Sequence, residues 1–307
     1  MKLRIGTRKS KLALAQSRWV KEKIESRHPE IDVELVKIQT TGDRILDSPL
    51  NTIGGKGLFV KEIEEALISK KVDLAVHSMK DVPAELPPRL SLTVFPERED
   101  PFDAFISVAF KSIRYLPAGG RVGTSSLRRS SQLLSLRPDL VIVSLRGNVD
   151  TRIRKLEAGE IDAVILAAAG LNRLGLSNKI NSKISDDLLI PAIGQGVLGL
   201  EVRSEDKITI EMLGFLNHRP TELAVKAERA LLKELEGGCQ VPIAGFAQID
   251  DGKIRLRGMV AELDGSRIIK DEITGDQAKA EDLGRSLARR LLEAGADRIL
   301  SGIYGRA

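Results

Sequence analysis

The chain has 307 residues, 42% of them hydrophobic, enough to fill more than one core, and only 3% aromatic, so those cores draw on Leu, Ile, Val and Ala. Its 48 basic and 43 acidic residues leave a net charge of +5, but the signs interleave as on a solvated surface, and no apolar run approaches the ~20 residues of a membrane span. One cysteine excludes an internal disulfide, the widely spaced His28, His77 and His218 give no metal-ligand spacing, and a start without an apolar signal core points to the cytoplasm.

Strand and helix signals alternate through the first two thirds. Leu3–Ile5 reads as a strand, Leu12–Ile24 as an amphipathic helix and Val33–Ile38 as a strand. After a glycine-rich turn (Gly54-Gly55-Lys56-Gly57) come a helix over Leu58–Ile68 and an apolar strand over Val72–Val76. The rhythm resumes with a strand ending at Val122, a helix over Leu127–Leu136, a strand over Leu140–Val143, a helix after Asn148 and a strand over Ala163–Leu166. Such alternation predicts an α/β fold of doubly wound parallel sheets with helices on both faces.

The last part of the chain changes character. A helix over Thr221–Leu235, with Pro220 in its first turn, leads into Gly237-Gly238. Two Asp-Gly hairpin signals follow, at Asp251-Gly252 and Asp264-Gly265, and one long helical pattern from Ala280 closes the chain. This predicts a small α+β domain.

Arginine placement is the first chemical signal. Arg121, Arg128, Arg129, Arg137, Arg146, Arg152 and Arg154 crowd one stretch, several where βα loops open at strand ends. In Val122-Gly123-Thr124-Ser125-Ser126-Leu127-Arg128-Arg129, a strand runs through hydroxyl residues into a helix whose first turn carries two cations. Those cations oppose the helix dipole unless an anion docks among the free N–H groups, hydroxyls and guanidinium forks. For any one arginine, plain solvation explains the residue as well. Leu145-Arg146-Gly147-Asn148 repeats the placement one βα unit later, which favours the anion for the group.

A second signal is Ala75-Val76-His77-Ser78-Met79-Lys80-Asp81-Val82-Pro83, where Asp81 follows the carboxyl end of a strand, the ligand position of open α/β sheets. A surface ion pair or turn is the commoner fate of such an aspartate, and His77 reads as a packed residue. Cys239 is the third. A lone thiol is ordinarily core, but Glu236-Gly237-Gly238 before it and Gln240-Val241-Pro242 after it place it on a loop, accessible to covalent attachment. Gly194-Gln195-Gly196-Val197-Leu198-Gly199 matches a dinucleotide fingerprint but leads into a strand-like run, so it reads as a backbone turn; Gly54-Gly55-Lys56-Gly57 lacks the spacing of a phosphate loop.

These stretches, with Arg4-Ile5-Gly6-Thr7-Arg8-Lys9-Ser10, Glu97-Arg98-Glu99-Asp100-Pro101 and Pro191-Ala192-Ile193-Gly194-Gln195-Gly196, resemble the porphobilinogen deaminase family nearly end to end. The resemblance implies two domains like those of periplasmic binding proteins, residues 1–96 with 197–216 and residues 97–196, and an α+β domain over 217–307. It implies that Cys239 carries a dipyrromethane cofactor by a thioether, as the primer onto which four porphobilinogen molecules are joined with loss of ammonia before hydroxymethylbilane is released by hydrolysis. It assigns catalysis to Asp81, Lys80 and Arg8. Cofactor binding falls to Lys80, Asp81, Thr124, Ser125, Ser126, Arg128, Arg129 and Arg146, and substrate binding to Arg8, Ser10, Phe59, Arg152, Arg173 and Gln195. No metal, nucleic-acid or membrane partner is expected, and the family suggests a monomer. A non-catalytic carboxylate-binding protein would explain the arginines but leave Cys239 without a role. A nucleic-acid binder would explain the basic charge but not Asp81, and offers little aromatic stacking surface.

Overall fold

The computed structural model describes residues 2–44, 57–236 and 241–305, with only the backbone of Arg44. The turn residues Gly54-Gly55-Lys56 and the loop Gly237-Gly238-Cys239-Gln240 lie outside the described residues.

The chain begins with β1 (Lys2–Arg8), α1 (Lys11–Arg27), β2 (Asp32–Ile38), a short α2 (Thr41–Arg44), α3 (Lys61–Ile68), β3 (Leu74–Ser78) and β4 (Leu90–Val94). It crosses over into β5 (Asp103–Ile106), β6 (Arg121–Gly123), α4 (Leu127–Leu136), β7 (Val141–Val143), α5 (Val149–Glu157), β8 (Ala163–Ala167), α6 (Ala168–Arg173) and β9 (Ser182–Ile184). It then returns in β10 (Leu198–Arg203) and α7 (Lys207–Leu213).

Two five-stranded sheets result, ordered β2-β1-β3-β10-β4 and β7-β6-β8-β5-β9. They are mixed, which corrects the expectation of parallel sheets. In each, four strands point the same way and one is reversed: β10 pairs antiparallel with β3 and β4, and β5 pairs antiparallel with β8 and β9. The reversed strand is in both cases the one that arrives by the crossover: β5 enters the second sheet from the first, and β10 comes back. Their directions follow from the side on which the chain enters.

The return crossover explains the apparent fingerprint. Gly194 and Gly196 have φ of +70° and +87°, and a Cβ at Gly196 would stand 2.3 Å from the Glu99 carbonyl oxygen of the outgoing crossover. Positive φ and backbone contact both demand glycine. The segment is a turn into a strand.

The C-terminal unit packs α8 (Arg219–Glu234) and α9 (Ala280–Leu291) on the antiparallel sheet β11 (Ile243–Asp250), β12 (Lys253–Ala261) and β13 (Ile268–Asp276). On α8 Leu223, Ala224, Ala227 and Leu231 recur at helical spacing and are buried; full burial of Leu231 alone contributes about 1.5–3 kcal/mol. Asp251 and Gly252 take φ of +45° and +75°, the two-residue hairpin that Asp-Gly favours, whereas Asp264-Gly265 sits in a longer loop between Ala261 and Ile268. The expected long terminal helix is interrupted: Gly295, at φ +103°, separates α9 from α10 (Asp297–Tyr304). None of the described helices is long and apolar enough to cross a membrane.

Candidate active site

The carboxyl ends of the parallel strands supply most of the sequence-predicted residues; Phe59 precedes α3, Gln195 lies in the return crossover, and Cys239 lies outside the described residues. β1 ends at Arg8 and passes Ser10 into α1, and β3 runs into a single 3-10 turn over Met79–Asp81. β6 leads through Thr124, Ser125 and Ser126 into α4 with its two arginines. β7 leads through Arg146 into α5, which carries Arg152, and β8 leads into α6, which ends at Arg173. Both sheets therefore contribute by the same rule.

Arg128 and Arg129 are 5% and 6% exposed, and between them lies Asp103, fully buried at the start of β5. Arg129 donates to Asp103 Oδ1 through Nε at 3.0 Å and Nη2 at 2.7 Å; Arg128 donates through Nη2 at 3.2 Å and brings Nη1 to 2.9 Å from Oδ2. The backbone oxygens of Ile190 and Ile165 accept the remaining Nη1 bonds, at 2.8 and 3.1 Å. Despite complete burial, the two guanidinium groups hold the Asp103 carboxyl far below the ordinary carboxylate range. The anion that the arginine placement called for is in part internal.

Arg146, Arg152 and Arg173 differ. Arg146 Nε is buried with no hydrogen-bond partner among the described residues, and its guanidinium pKa is pushed down by burial. Arg152 gives Nε to the Gly147 carbonyl at 2.9 Å, and Arg173 gives Nη2 to the Gly196 carbonyl at 2.7 Å. Burial lowers both to about 10, Arg129 and Arg146 adding to the effect at Arg152. Among the described residues none of the three forms an ion pair.

Lys80 is lowered to about 8 by burial, then by the fields of Arg129 and Arg128, against the pull of Asp81 and Asp103. Asp81 in turn raises Arg152. The Lys80–Asp81 turn of the first sheet is thus within electrostatic reach of the arginines of the second.

Other predicted residues have local partners. Ser10 caps α1, accepting from the Ala13 N–H at 3.3 Å. Arg8 pairs with Asp43 and lies 4.2 Å over the Phe59 ring, so Phe59 packs on a cation here. Ser125 donates to the Leu145 carbonyl at 2.8 Å, Thr124 Oγ1 accepts from the Ser126 N–H at 3.2 Å, and Ser126 is the N-cap residue of α4 without a side-chain cap bond. Gln195 donates Nε2 to Pro101 O at 2.7 Å and Asp103 Oδ1 at 3.0 Å, while its Oε1 is buried without a partner among the described residues. Arg121 and Arg137 pair with Asp162 and Asp139, Arg137 also donating to the Ile113 and Leu116 carbonyls, and Arg154 bonds Thr151 at an exposed position, so these three have local partners. His77 is buried against Glu201 at 2.9 Å, a packed residue as expected.

Sequence reasoning missed three residues. Asp103 is one. Arg98 is another: it makes a bidentate pair with buried Glu228 of α8 at 2.7 and 3.0 Å and also reaches Gln195 O, while Glu228 accepts from the Gly194 and Ala247 N–H groups. That joins both crossovers to the C-terminal unit. The third, Arg229 of α8, donates to Pro83 O at 2.8 Å and Ala84 O at 3.0 Å, clasping the loop just after Asp81. The Glu97-Arg98-Glu99-Asp100-Pro101 run was the available signal for Arg98; nothing local marks the others.

The residues fit a polycarboxylate. Among the described residues, a buried guanidinium nitrogen without a partner and two more arginines whose charge burial penalises would match an anionic group. The described residues contain no cluster able to hold a metal ion.

Residues 3–211 match the family model "Porphobilinogen deaminase, dipyromethane cofactor binding domain", and residues 222–293 match "Porphobilinogen deaminase, C-terminal domain". Porphobilinogen deaminase of Trichlorobacter lovleyi is 57% identical over 307 residues, covering 99% of this chain and 97% of that one. Those of Pelobacter propionicus and Geobacter sulfurreducens are each 55% identical, over 99% of this chain and 98% and 96% of theirs. A periplasmic substrate-binding protein of a Coxiella burnetii ABC transporter is similar at 15% identity and a TM-score of 0.44, over 74% of this chain and 96% of that one, and nothing about chemistry follows from it. By full-length sequence likeness to these relatives, the chain belongs to the porphobilinogen deaminase family.

Proposed function

We propose that the chain joins four porphobilinogen molecules head to tail, with loss of ammonia at each step, onto a dipyrromethane primer fixed to Cys239, and releases hydroxymethylbilane by hydrolysis. The observation that carries this reading is a set of half-buried cations without a carboxylate partner among the described residues, Arg146, Arg152 and Arg173, following strands of the second sheet, with Arg152 in the field of Asp81. When bound, the primer supplies the pyrrole carbon to which the first new ring is joined.

The chain's own residues divide the work. Arg128, Arg129 and Arg146, with Lys80, Thr124, Ser125 and Ser126, hold the acidic side chains of the primer. Arg152 and Arg173, with Arg8, Ser10, Phe59 and Gln195, receive those of the incoming substrate. Bidentate guanidinium contacts orient a planar ring better than ammonium contacts do. The Asp81 carboxylate accepts the pyrrole N–H, stabilises positive charge as the amine departs and takes up the proton that restores aromaticity. Lys80, lowered to about 8, is poised to share that proton traffic. The domain division that goes with this reading is residues 1–96 with 197–216, residues 97–196 and residues 217–307, acting as a cytoplasmic monomer.

The intact mass of freshly purified protein tests the reading. It should exceed the mass of the sequence by two pyrrole units, and Cys239→Ser should remove the excess. A bare wild-type mass in active enzyme would refute attachment.

A further inference from the structure

Asp103 has no place among the residues assigned above to primer or substrate, yet it is the most connected acid of the site. Its Oδ1 accepts from Arg129 Nε and Nη2, from Arg128 Nη2 and from Gln195 Nε2, and Oδ2 lies 2.9 Å from Arg128 Nη1. The residue is wholly buried, and so, nearly, are both arginines.

We infer that Asp103 is a positioning residue: its carboxylate fixes the planes of the Arg128 and Arg129 guanidinium groups for primer binding and ties them, through Gln195, to the crossover between the two sheets. This rests on the reading that those arginines hold the primer. Geometry supports it first. A carboxylate shared by two guanidinium groups at these distances admits one arrangement of each, whereas two cations side by side without it turn apart or capture an anion from solution. Its place in the chain supports it next. Asp103 begins β5, where the outgoing crossover enters the second sheet, and Gln195 lies in the returning crossover and bonds both Asp103 and Pro101 O. Charge is the last support: one carboxylate against two guanidinium groups leaves a net +1, so the trio stays pre-set yet still attracts an anion. The depressed pKa of Asp103 keeps that arithmetic unchanged across working pH.

The test compares Asp103→Asn, Asp103→Glu, Arg128→Leu and Arg129→Leu by primer-loaded fraction from intact mass, by kcat and KM for porphobilinogen, and by melting with and without inorganic phosphate. Asp103→Asn should lower the loaded fraction about tenfold, and phosphate should raise its melting temperature more than it raises that of wild type. Asp103→Glu, which keeps the charge but moves it by one methylene, should regain loading and lose about tenfold in kcat at little change in KM. Wild-type loading and phosphate-insensitive melting of Asp103→Asn would overturn the inference; so would Asp103→Glu at wild-type kcat, which decides the matter if Asp103→Asn does not fold. Full loading of Arg128→Leu and Arg129→Leu would instead refute the underlying reading of the arginines. Loss of loading in those two with normal loading of Asp103→Asn would refute the role of Asp103 alone.

Discussion

Two arginine groups stand one βα unit apart in the second sheet, raised by the same local geometry, and their charges are met differently. At the end of β6, Arg128 and Arg129 surround Asp103, while at the end of β7, Arg146 and Arg152 form no ion pair among the described residues, and Arg146 leaves Nε without a partner. A buried cation costs several kcal/mol unless something repays it. The chain repays the first pair from its own sequence and leaves the second group to be repaid by a ligand. On the proposed reading one group is scaffold and recognition together, and the other is recognition alone.

The largest effect should come where the open group meets the acid. Asp81 lies within the electrostatic reach of Arg152, and Asp81→Asn removes the proton acceptor without changing shape; kcat should fall by roughly 10²–10⁴ while the primer stays attached, read by steady-state kinetics beside intact mass. Near-normal turnover would erase the distinction between that group and any solvated cluster.

Next is a contrast in stability. Arg129→Leu leaves Asp103 buried with a weakened counter-charge and should destabilise the protein by about 3 kcal/mol in denaturant unfolding.

The first sheet carries the same contrast in acids, and there it is read through pH. Asp73, met by Arg4 and Arg203, is held below the ordinary range despite its burial; Glu64 is raised to about 7 by burial and by Glu201, with His77 opposing. A carboxyl whose folded pKa is raised stabilises fully below its unfolded value of 4.5 and loses that contribution as pH climbs to about 7. Wild type should thus lose on the order of 2 kcal/mol across that window, and Glu64→Gln should flatten the slope.

The smallest change should have the opposite sign. Arg152→Leu removes a penalised charge and should stabilise the unloaded protein by about 1 kcal/mol in thermal unfolding, while KM for porphobilinogen rises. If Arg152→Leu and Arg129→Leu destabilise alike, the two groups are not different in kind.

Much of the site could be read from residue order because βα units punctuate themselves. Thr124-Ser125-Ser126 before α4 and Asn148 before α5 mark helix starts, and whatever follows a parallel strand there faces the ligand side. Asp251-Gly252 announced its hairpin for equally local reasons. What escaped depends on distance. The four residues of β5, Asp103 and three apolar ones, have no period that tells their direction, and β5 and β10 run antiparallel only because of where the chain crosses. Asp103 lies 25 residues before Arg128, and only the folded sheet brings them together. The break at Gly295 was hidden inside a pattern apolar enough to pass for one helix.

A crystal structure of the primer-loaded enzyme tests the central claim most directly. It should show primer carboxylates against Arg146 Nε and Arg152, with Asp103 still seated between Arg128 and Arg129. Carboxylates bound elsewhere, with Arg146 and Arg152 turned out to water, would contradict it.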